Sequence, residues 1–374
     1  MTIAVNTRFW QNDVLEGYGY FAQQVFSNMA MQHPNYNFIW VFDKAVPTNI
    51  YMPSNVKAIV VKPVARHALS FLYWYNVAVP VALKKYKPSV IIQPFGYCSL
   101  FTRVKQILVI HDLAFLHYPK YIAKHHLYFY KIFTPWFIKK ATVVATVSEF
   151  SKQDIVAQYK VNPKKINVIY SAAKPMFVPL TWEEKQQTQD SYADGFQYFL
   201  FVGGVHPRKN VMGLLKAFSI FKKWQQSNFK LLIAGRLAWQ FNDVVEKLKT
   251  YKYKDDVVLL DYVPEKQLAK LVASAYAVVY PSFFEGFGVP IIEAMQSKTA
   301  VITSKVSSMP EIAGDAALLC NPNEHEDIAK QMLTLYKDEN LKQQLITKGV
   351  EQASKFTWQK TSNLLWELVE QLVK

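Results

Sequence analysis

Two carboxylates eight residues apart, Glu285 and Glu293, flank the run Gly286-Phe287-Gly288-Val289-Pro290. Such a pair can accept hydrogen bonds from hydroxyls or, in a hydrolase, act as acid and base. The residues between them decide which. Gly286 and Gly288 let the backbone approach a ligand closely, and Pro290 suits the first turn of a helix, where its missing N–H costs nothing. A helix start adds unpaired N–H groups and the positive end of the dipole, so an anion belongs there. Two hydroxyl acceptors beside an anion site point to a sugar nucleotide. A second cluster, Arg208-Lys209, follows Gly203-Gly204 and precedes a helical pattern from about Asn210. A phosphate at that turn would meet two cations and another helix start.

Positioning these groups takes strands that end, and helices that begin, at one edge of a sheet. Short apolar runs rich in β-branched and aromatic residues read as buried parallel strands at 3–5, 38–42, 58–61, 90–93, 106–110, 142–146 and 166–169, and again at 198–202, 230–234, 257–260, 277–280, 300–303 and 317–320. Helical patterns alternate with them, which predicts two doubly wound α/β domains. The boundaries predicted are a first domain over residues 1–175, a linker over 176–196 and a second domain over 197–357. A cleft between the domains is the expected ligand site.

Length and composition agree with two domains, since 374 residues exceed one ordinary core. No apolar stretch is long enough to span a membrane, and the chain opens directly on a strand, so neither a span nor a signal peptide is expected. Cys98 and Cys320 are far apart without metal-ligand spacing and read as reduced cytoplasmic thiols. The net charge of +15 is concentrated. Residues 1–180 hold 20 Lys and Arg against six Asp and Glu, and residues 181–374 hold 23 against 22. A field so one-sided attracts anionic partners, whether nucleic acid, a phospholipid surface or a pyrophosphate-linked substrate.

The pair Glu285 and Glu293 with G-F-G-V-P after the first glutamate resembles the signature of family-four retaining glycosyltransferases of the GT-B fold. Further pieces fall in that family's order: Gly17-Tyr-Gly19, Val109-Ile-His111-Asp-Leu113, Thr146-Val-Ser-Glu-Phe-Ser151, Val202 to Asn210, Ile233-Ala-Gly-Arg236 and Met309 to Ala316. The resemblance implies two Rossmann-like domains facing each other across a cleft, with the C-terminal helix 358–374 packed back on the acceptor-side first domain. It implies a hexose moved with anomeric retention from a nucleotide sugar, GDP-mannose ahead of a UDP-sugar, to a glycan or lipid-linked acceptor in polysaccharide assembly.

By the same resemblance Glu293 binds the ribose hydroxyls, and Glu285 contacts the donor near sugar and diphosphate. Gly17 and Gly19 form a glycine loop ahead of a helix beginning near Tyr20. His111, at a strand end, reaches the sugar or acceptor region. Donor contacts extend over Gly203, Gly204, Gly286, Phe287, Gly288 and Val289, and the catalytic set is His111, Arg208, Lys209 and Glu285. One position departs from the pattern: Gly204 stands where the family often carries an arginine, so Arg208 is assigned the missing charge beside Lys209. Two cations at the diphosphate and no D-x-D-like run imply independence of metal, with no cofactor.

Two basic-aromatic segments, from Arg66 to Lys87 and from His117 to Lys140, suit an anionic membrane interface. Peripheral attachment to the inner face of the cytoplasmic membrane follows as an expectation. The competing readings are another GT-B enzyme, an epimerase or a phosphorylase, and a basic nucleic-acid-binding protein. No pyridoxal lysine site supports a phosphorylase, and no recognisable nucleic-acid module accompanies the charge.

Overall fold

A computed structural model describes residues 1–10, 17–48, 50–236, 246 and 248–373. The chain divides into two compact units, Met1–Ser171 with Thr357–Lys374, and Ala172–Phe356.

The first unit is built on seven strands: β1 (Thr2–Asn6), β2 (Asn37–Phe42), β3 (Val56–Val60), β4 (Val90–Gln93), β5 (Lys105–Ile110), β6 (Val143–Thr146) and β7 (Ile166–Val168). They lie in the order β3-β2-β1-β4-β5-β6-β7, every pair parallel. Central strands are covered on both faces, which is why they read as unbroken apolar runs rather than alternating ones. The second unit repeats the plan with β8 (Tyr198–Val202), β9 (Lys230–Ala234), β10 (Val257–Asp261), β11 (Ala277–Tyr280), β12 (Ala300–Ser304) and β13 (Leu318–Cys320), in the order β10-β9-β8-β11-β12-β13. Strand order reverses between β1 and β4 and between β8 and β11. In open parallel sheets that reversal opens a crevice at the carboxyl ends, where ligands bind.

The last helix, Trp358–Val373, packs on helix Gly17–Gln32 of the first unit. Trp358 meets the rings of Tyr20 and Phe21, the Ser362 hydroxyl donates to the Val25 carbonyl at 3.2 Å, and Trp366 stacks on His33. Lys374, the end of the predicted helix, lies outside the described residues.

Two sequence expectations need correction. The stretch assigned to a linker, 176–196, holds the helix Trp182–Ala193 within the second unit. Its polarity hides it, but Thr181 and Glu184 close a capping box that starts the helix, and Thr188, Gln189 and Ala193 are buried. Gly17 and Gly19 belong to the first turn of helix Gly17–Gln32 rather than to a loop ahead of Tyr20. Glycine disfavours helix by only about 1 kcal/mol, and burial of Phe21, Val25, Phe26 and Met29 along one face outweighs that.

Candidate active site at the second sheet

β8 and β11 stop at the order reversal, and the residues that follow them converge. After β8 the backbone turns through Gly203 and Gly204 into a short 3-10 turn, Pro207–Lys209. Asn210 then takes a left-handed conformation (φ 60°), and helix Val211–Gln225 begins. The Asn210 amide does not cap that helix. It donates instead to the carbonyls of Pro281, at 3.2 Å, and Pro322, at 2.6 Å, tying the turn to the segment after β11. Gly213 makes room for this, since a Cβ there would stand 2.4 Å from the Asn210 Oδ1. The Phe283 N–H donates to the Arg208 carbonyl at 2.9 Å, so the two loops are laced together.

Glu285 is the meeting point. It is 7% exposed. Arg208 Nη1 lies 2.9 Å from its Oε2, and Lys209 Nζ lies 2.7 Å from its Oε1. Arg208 also donates to the Phe284 carbonyl and Lys209 to the Tyr280 hydroxyl. Burial alone would raise the Glu285 carboxyl, but Lys209 and then Arg208 more than offset it, holding the group down at about 2. Tyr280 is pushed the other way: burial, reinforced by the charge on Glu285, raises its phenol well above the usual range. Its ring also lies under the Lys209 ammonium, 4.8 Å from the centroid.

The turn beyond Glu285 is held from behind by two serines. Ser307 Oγ accepts from the Glu285 N–H at 3.0 Å. Ser308 Oγ donates to the carbonyls of Glu285, at 2.9 Å, and Phe287, at 3.0 Å. Gly288, at φ 100°, is the left-handed residue from which helix Val289–Gln296 starts, with Pro290 in its first turn. A side chain at Gly288 would be strained there and would meet Ile291 at 3.0 Å. This is the strand, glycine turn and helix expected from sequence.

Glu293 sits within that helix, 6% exposed, and its carboxylate has no hydrogen-bond partner among the described residues. Burial pushes it up to about 7; Lys174 opposes that and Glu265 reinforces it. Lys174 is itself ion-paired to Glu265. The two glutamates therefore differ in kind: Glu285 is a fixed charge, and Glu293 is an acceptor whose protonation changes near neutrality.

In the first unit, His111 lies just past β5, packed against the rings of Tyr18 and Phe21, with centroids 4.6 and 5.0 Å away. Its Nε2 is 3.0 Å from the Pro94 carbonyl. A carbonyl only accepts, so Nε2 carries the proton. Burial lowers the imidazole pKa, against the Pro94 bond and Asp112, so the ring is neutral and Nδ1 is left as an acceptor. Asp112 Oδ1 accepts from the Ala114 N–H at 2.9 Å and shapes the loop. Ser148 caps helix Glu149–Tyr159 by accepting from the Ser151 N–H at 3.0 Å, as its sequence position predicts.

Thus Gly203, Gly204, Arg208, Lys209, Glu285, Gly286, Phe287, Gly288, Val289 and Glu293 all belong to two adjoining loop-to-helix turns of one unit, while Gly17, Gly19 and His111 belong to the other. Sequence reasoning passed over Tyr280, Ser307, Ser308 and the tether made by Asn210. A tyrosine closing an apolar strand at the ligand edge was the one available signal; the serines precede Met309 with no spacing that marks them.

The family model described as glycosyl transferases group 1 matches residues 160–352, and the one described as glycosyltransferase family 4 matches residues 40–174. The chain is 30% identical over 280 residues to an O-antigen chain mannosyltransferase B of Escherichia coli, covering 74% of this chain and 73% of that protein. It is 32% identical over 223 residues to the O-antigen chain mannosyltransferase RfbU of Salmonella typhimurium, covering 59% and 58%. Among solved structures, sucrose-phosphate synthase from Thermosynechococcus elongatus superposes with a TM-score of 0.78 at 19% identity, covering 99% of this chain and 98% of that one.

Proposed function

The chain belongs to the glycosyl transferases group 1 family and is a glycosyltransferase of the GT-B fold; from that premise we propose that it transfers mannose, with retention, from GDP-mannose to a growing surface polysaccharide. The observation that carries the nucleotide-sugar reading is the convergence of Arg208 and Lys209 on Glu285 at the carboxyl edge of the second sheet. Two fixed cations beside a glycine turn and a helix start form an environment prepared for a leaving diphosphate.

In the proposed reaction the bond from the sugar C1 to the diphosphate oxygen breaks and a bond from C1 to the acceptor oxygen forms. The acceptor's proton leaves with the departing phosphate. Arg208 and Lys209 take up the developing charge, which is the largest single demand of such a step. Glu285, held at about 2, is no proton donor at neutral pH and serves to fix the two cations. Glu293 accepts from the ribose hydroxyls. His111 Nδ1 accepts from a sugar or acceptor hydroxyl. With the diphosphate met by side-chain cations the enzyme works without metal, and activity survives EDTA.

Mannose rests on the two O-antigen mannosyltransferase relatives. Incubation with GDP-mannose, GDP-fucose, UDP-glucose and UDP-galactose, read by thermal stabilisation, tests the donor; stabilisation by a UDP-sugar alone would overturn GDP-mannose. The anomeric configuration of the product, read by NMR, tests retention.

Membrane attachment is part of the proposal. Leu69, Tyr73, Val77 and Val81 recur every fourth residue along the helical segment 68–83 and are all exposed. Tyr128, Ile132 and Trp136 do the same on helix Lys124–Lys140. Phe71 and Phe129 join the two segments, with ring centroids 5.6 Å apart. Exposed Lys84, Lys85, Lys124, Lys131 and Lys139 accompany the stripes. Apolar rows with flanking lysines suit an anionic lipid surface, each lysine adding about 1 kcal/mol. Among the described residues no helix is long and apolar enough to cross a membrane.

A further inference from the structure

At the amino edge of the second sheet, where β8, β11 and β12 begin, a cavity of about 180 Å³ lies away from the Glu285 turn. Three lysines line it: Lys185 of helix Trp182–Ala193, Lys298 in the link that leads into β12, and Lys342 of helix Glu339–Ser354. Lys298 is held in the left-handed region (φ 56°) one residue beyond Ser297, the C-cap of helix Val289–Gln296.

Their charges are poorly compensated. Lys342 is 2.8 Å from Glu339 and stands over the Tyr276 ring at 4.1 Å. Among the described residues neither Lys185 nor Lys298 has a side-chain hydrogen bond or an ion-pair partner. Lys185 is partly buried, and burial, followed by repulsion from Lys342 and Lys298, lowers its pKa. In the same wall Gln189, itself buried, donates to the Ser274 carbonyl at 3.3 Å and so ties helix Trp182–Ala193 to the chain just ahead of β11.

Two unpaired ammonium groups and a third only partly neutralised, converging on one cavity, ask for the same thing, an anion of about two charges with several acceptor oxygens. Lysines act as separate point charges around a tetrahedral group, whereas a planar carboxylate is better matched by arginine. At about 30 Å³ per water the space holds roughly six waters, more than a bare phosphate displaces. We propose that this cavity is a second anion site, binding the phosphate dianion of a small phosphomonoester, separate from the site for the donor diphosphate.

Isothermal titration of the full-length chain with glycerol 3-phosphate tests this, with uncharged glycerol as the blank. Arg208→Gln with Lys209→Gln removes the donor-site cations, and Lys185→Gln with Lys298→Gln removes those of the cavity. Binding should survive the first pair and weaken at least tenfold in the second. The single variant Lys298→Gln, at an exposed side chain, should weaken it several-fold without disturbing the fold. No binding to the wild type, or binding lost with Arg208 and Lys209 but kept without Lys185 and Lys298, would overturn the site. Vesicles of phosphatidylcholine with phosphatidic acid separate the sources. Equal vesicle binding by the wild type and the cavity variant supports a free phosphomonoester, and loss confined to the cavity variant assigns the same site to a lipid phosphate. Because the donor-site variant is assayed separately, failure here leaves the GDP-mannose reading untouched.

Discussion

The two units string their strands in the same order, yet the edges where those strands end are furnished differently. In the first unit the groups at the order reversal are neutral: Asn6, closing β1, donates to Gln93, closing β4, at 3.0 Å, and His111, past β5, is an uncharged imidazole with one acceptor nitrogen. The charges beside them, Arg8 past β1 and Asp43 past β2, pair with each other at 2.8 Å. In the second unit the edge carries Arg208, Lys209 and an ionised Glu285. The chain's excess charge shows the reverse, lying almost wholly in residues 1–180. The fold therefore does not dictate what its ligand edge binds. Charge buried at an edge, held by a carboxylate and a glycine turn, is matched to a charged substrate group. Charge spread over a surface is matched to a long-range partner.

The largest effect that tests this contrast falls on the second edge. Lys209→Ala and Arg208→Ala should each lower kcat/KM by about 10²–10³-fold, the usual cost of removing one preorganised electrostatic partner of the transition state. Steady-state kinetics with the cognate donor would check it. On the proposal that Arg208 takes the charge that Gly204 cannot carry, both variants lose activity; intact kinetics in Arg208→Ala beside an inactive Lys209→Ala would leave the second edge with one working cation.

Glu293 sharpens the comparison within that edge. Its carboxyl is raised from 4.5 to about 7 in the folded chain. Between those two values the unfolded chain has given up a proton that the folded chain keeps, so stability declines as pH rises from 4.5 through 7. Glu293→Gln removes the loss and should be the more stable protein at pH 8, by on the order of 2–3 kcal/mol; melting curves at pH 5 and pH 8 measure this. Ribose hydroxyls donate to the carboxylate form, so donor affinity should improve as pH rises through 7 in the wild type and stay flat in Glu293→Gln. A flat wild-type profile would remove Glu293 from the donor site.

Most of this was legible in the chain. Among the described residues all thirteen strands lie within two residues of the runs read from sequence, because short β-branched and aromatic runs bounded by turn residues recur at strand length along both units. The turn from Glu285 to Pro290 was legible because glycine and proline have few alternative uses at such spacing. Helix Trp182–Ala193 was missed because its polarity obscured the few positions it buries, although Thr181 and Glu184 marked its start. The opposite behaviour of Glu285 and Glu293 was only half legible. A carboxylate at a helix start, with Arg208 and Lys209 expected at the same ligand edge, is consistent with an ionised Glu285, but nothing local to Glu293 announces that it is buried without a partner. That depends first on how deeply its helix is buried, which tertiary packing decides, with Lys174 opposing the shift and Glu265 reinforcing it.

On the first edge the expected effect is smaller. His111 Nδ1 offers one neutral hydrogen bond, worth about 0.5–1.5 kcal/mol, so His111→Ala should cost roughly tenfold in kcat while the affinity for GDP-mannose stays put. His111→Gln, which keeps an acceptor, should recover part of it. A matching loss of donor affinity would make the two edges alike and break the contrast.

The smallest effect tests the surface charge of the first unit. Trp136 and Ile132 are 57% and 53% exposed on one row of helix Lys124–Lys140, so replacing both with serine removes apolar area already in water and should leave the melting temperature nearly unchanged. Sedimentation with vesicles of phosphatidylglycerol and phosphatidylcholine should fall several-fold, and should fall again with added salt, since lysine attraction is screened within about 10 Å at 0.1 M. A phosphatidylcholine-only vesicle separates the two contributions. Binding there measures the apolar rows, and the increment on adding phosphatidylglycerol measures the lysines. Equal binding to both vesicles would mean that the positive field of residues 1–180 serves an anionic acceptor and has no part in holding the enzyme to a membrane.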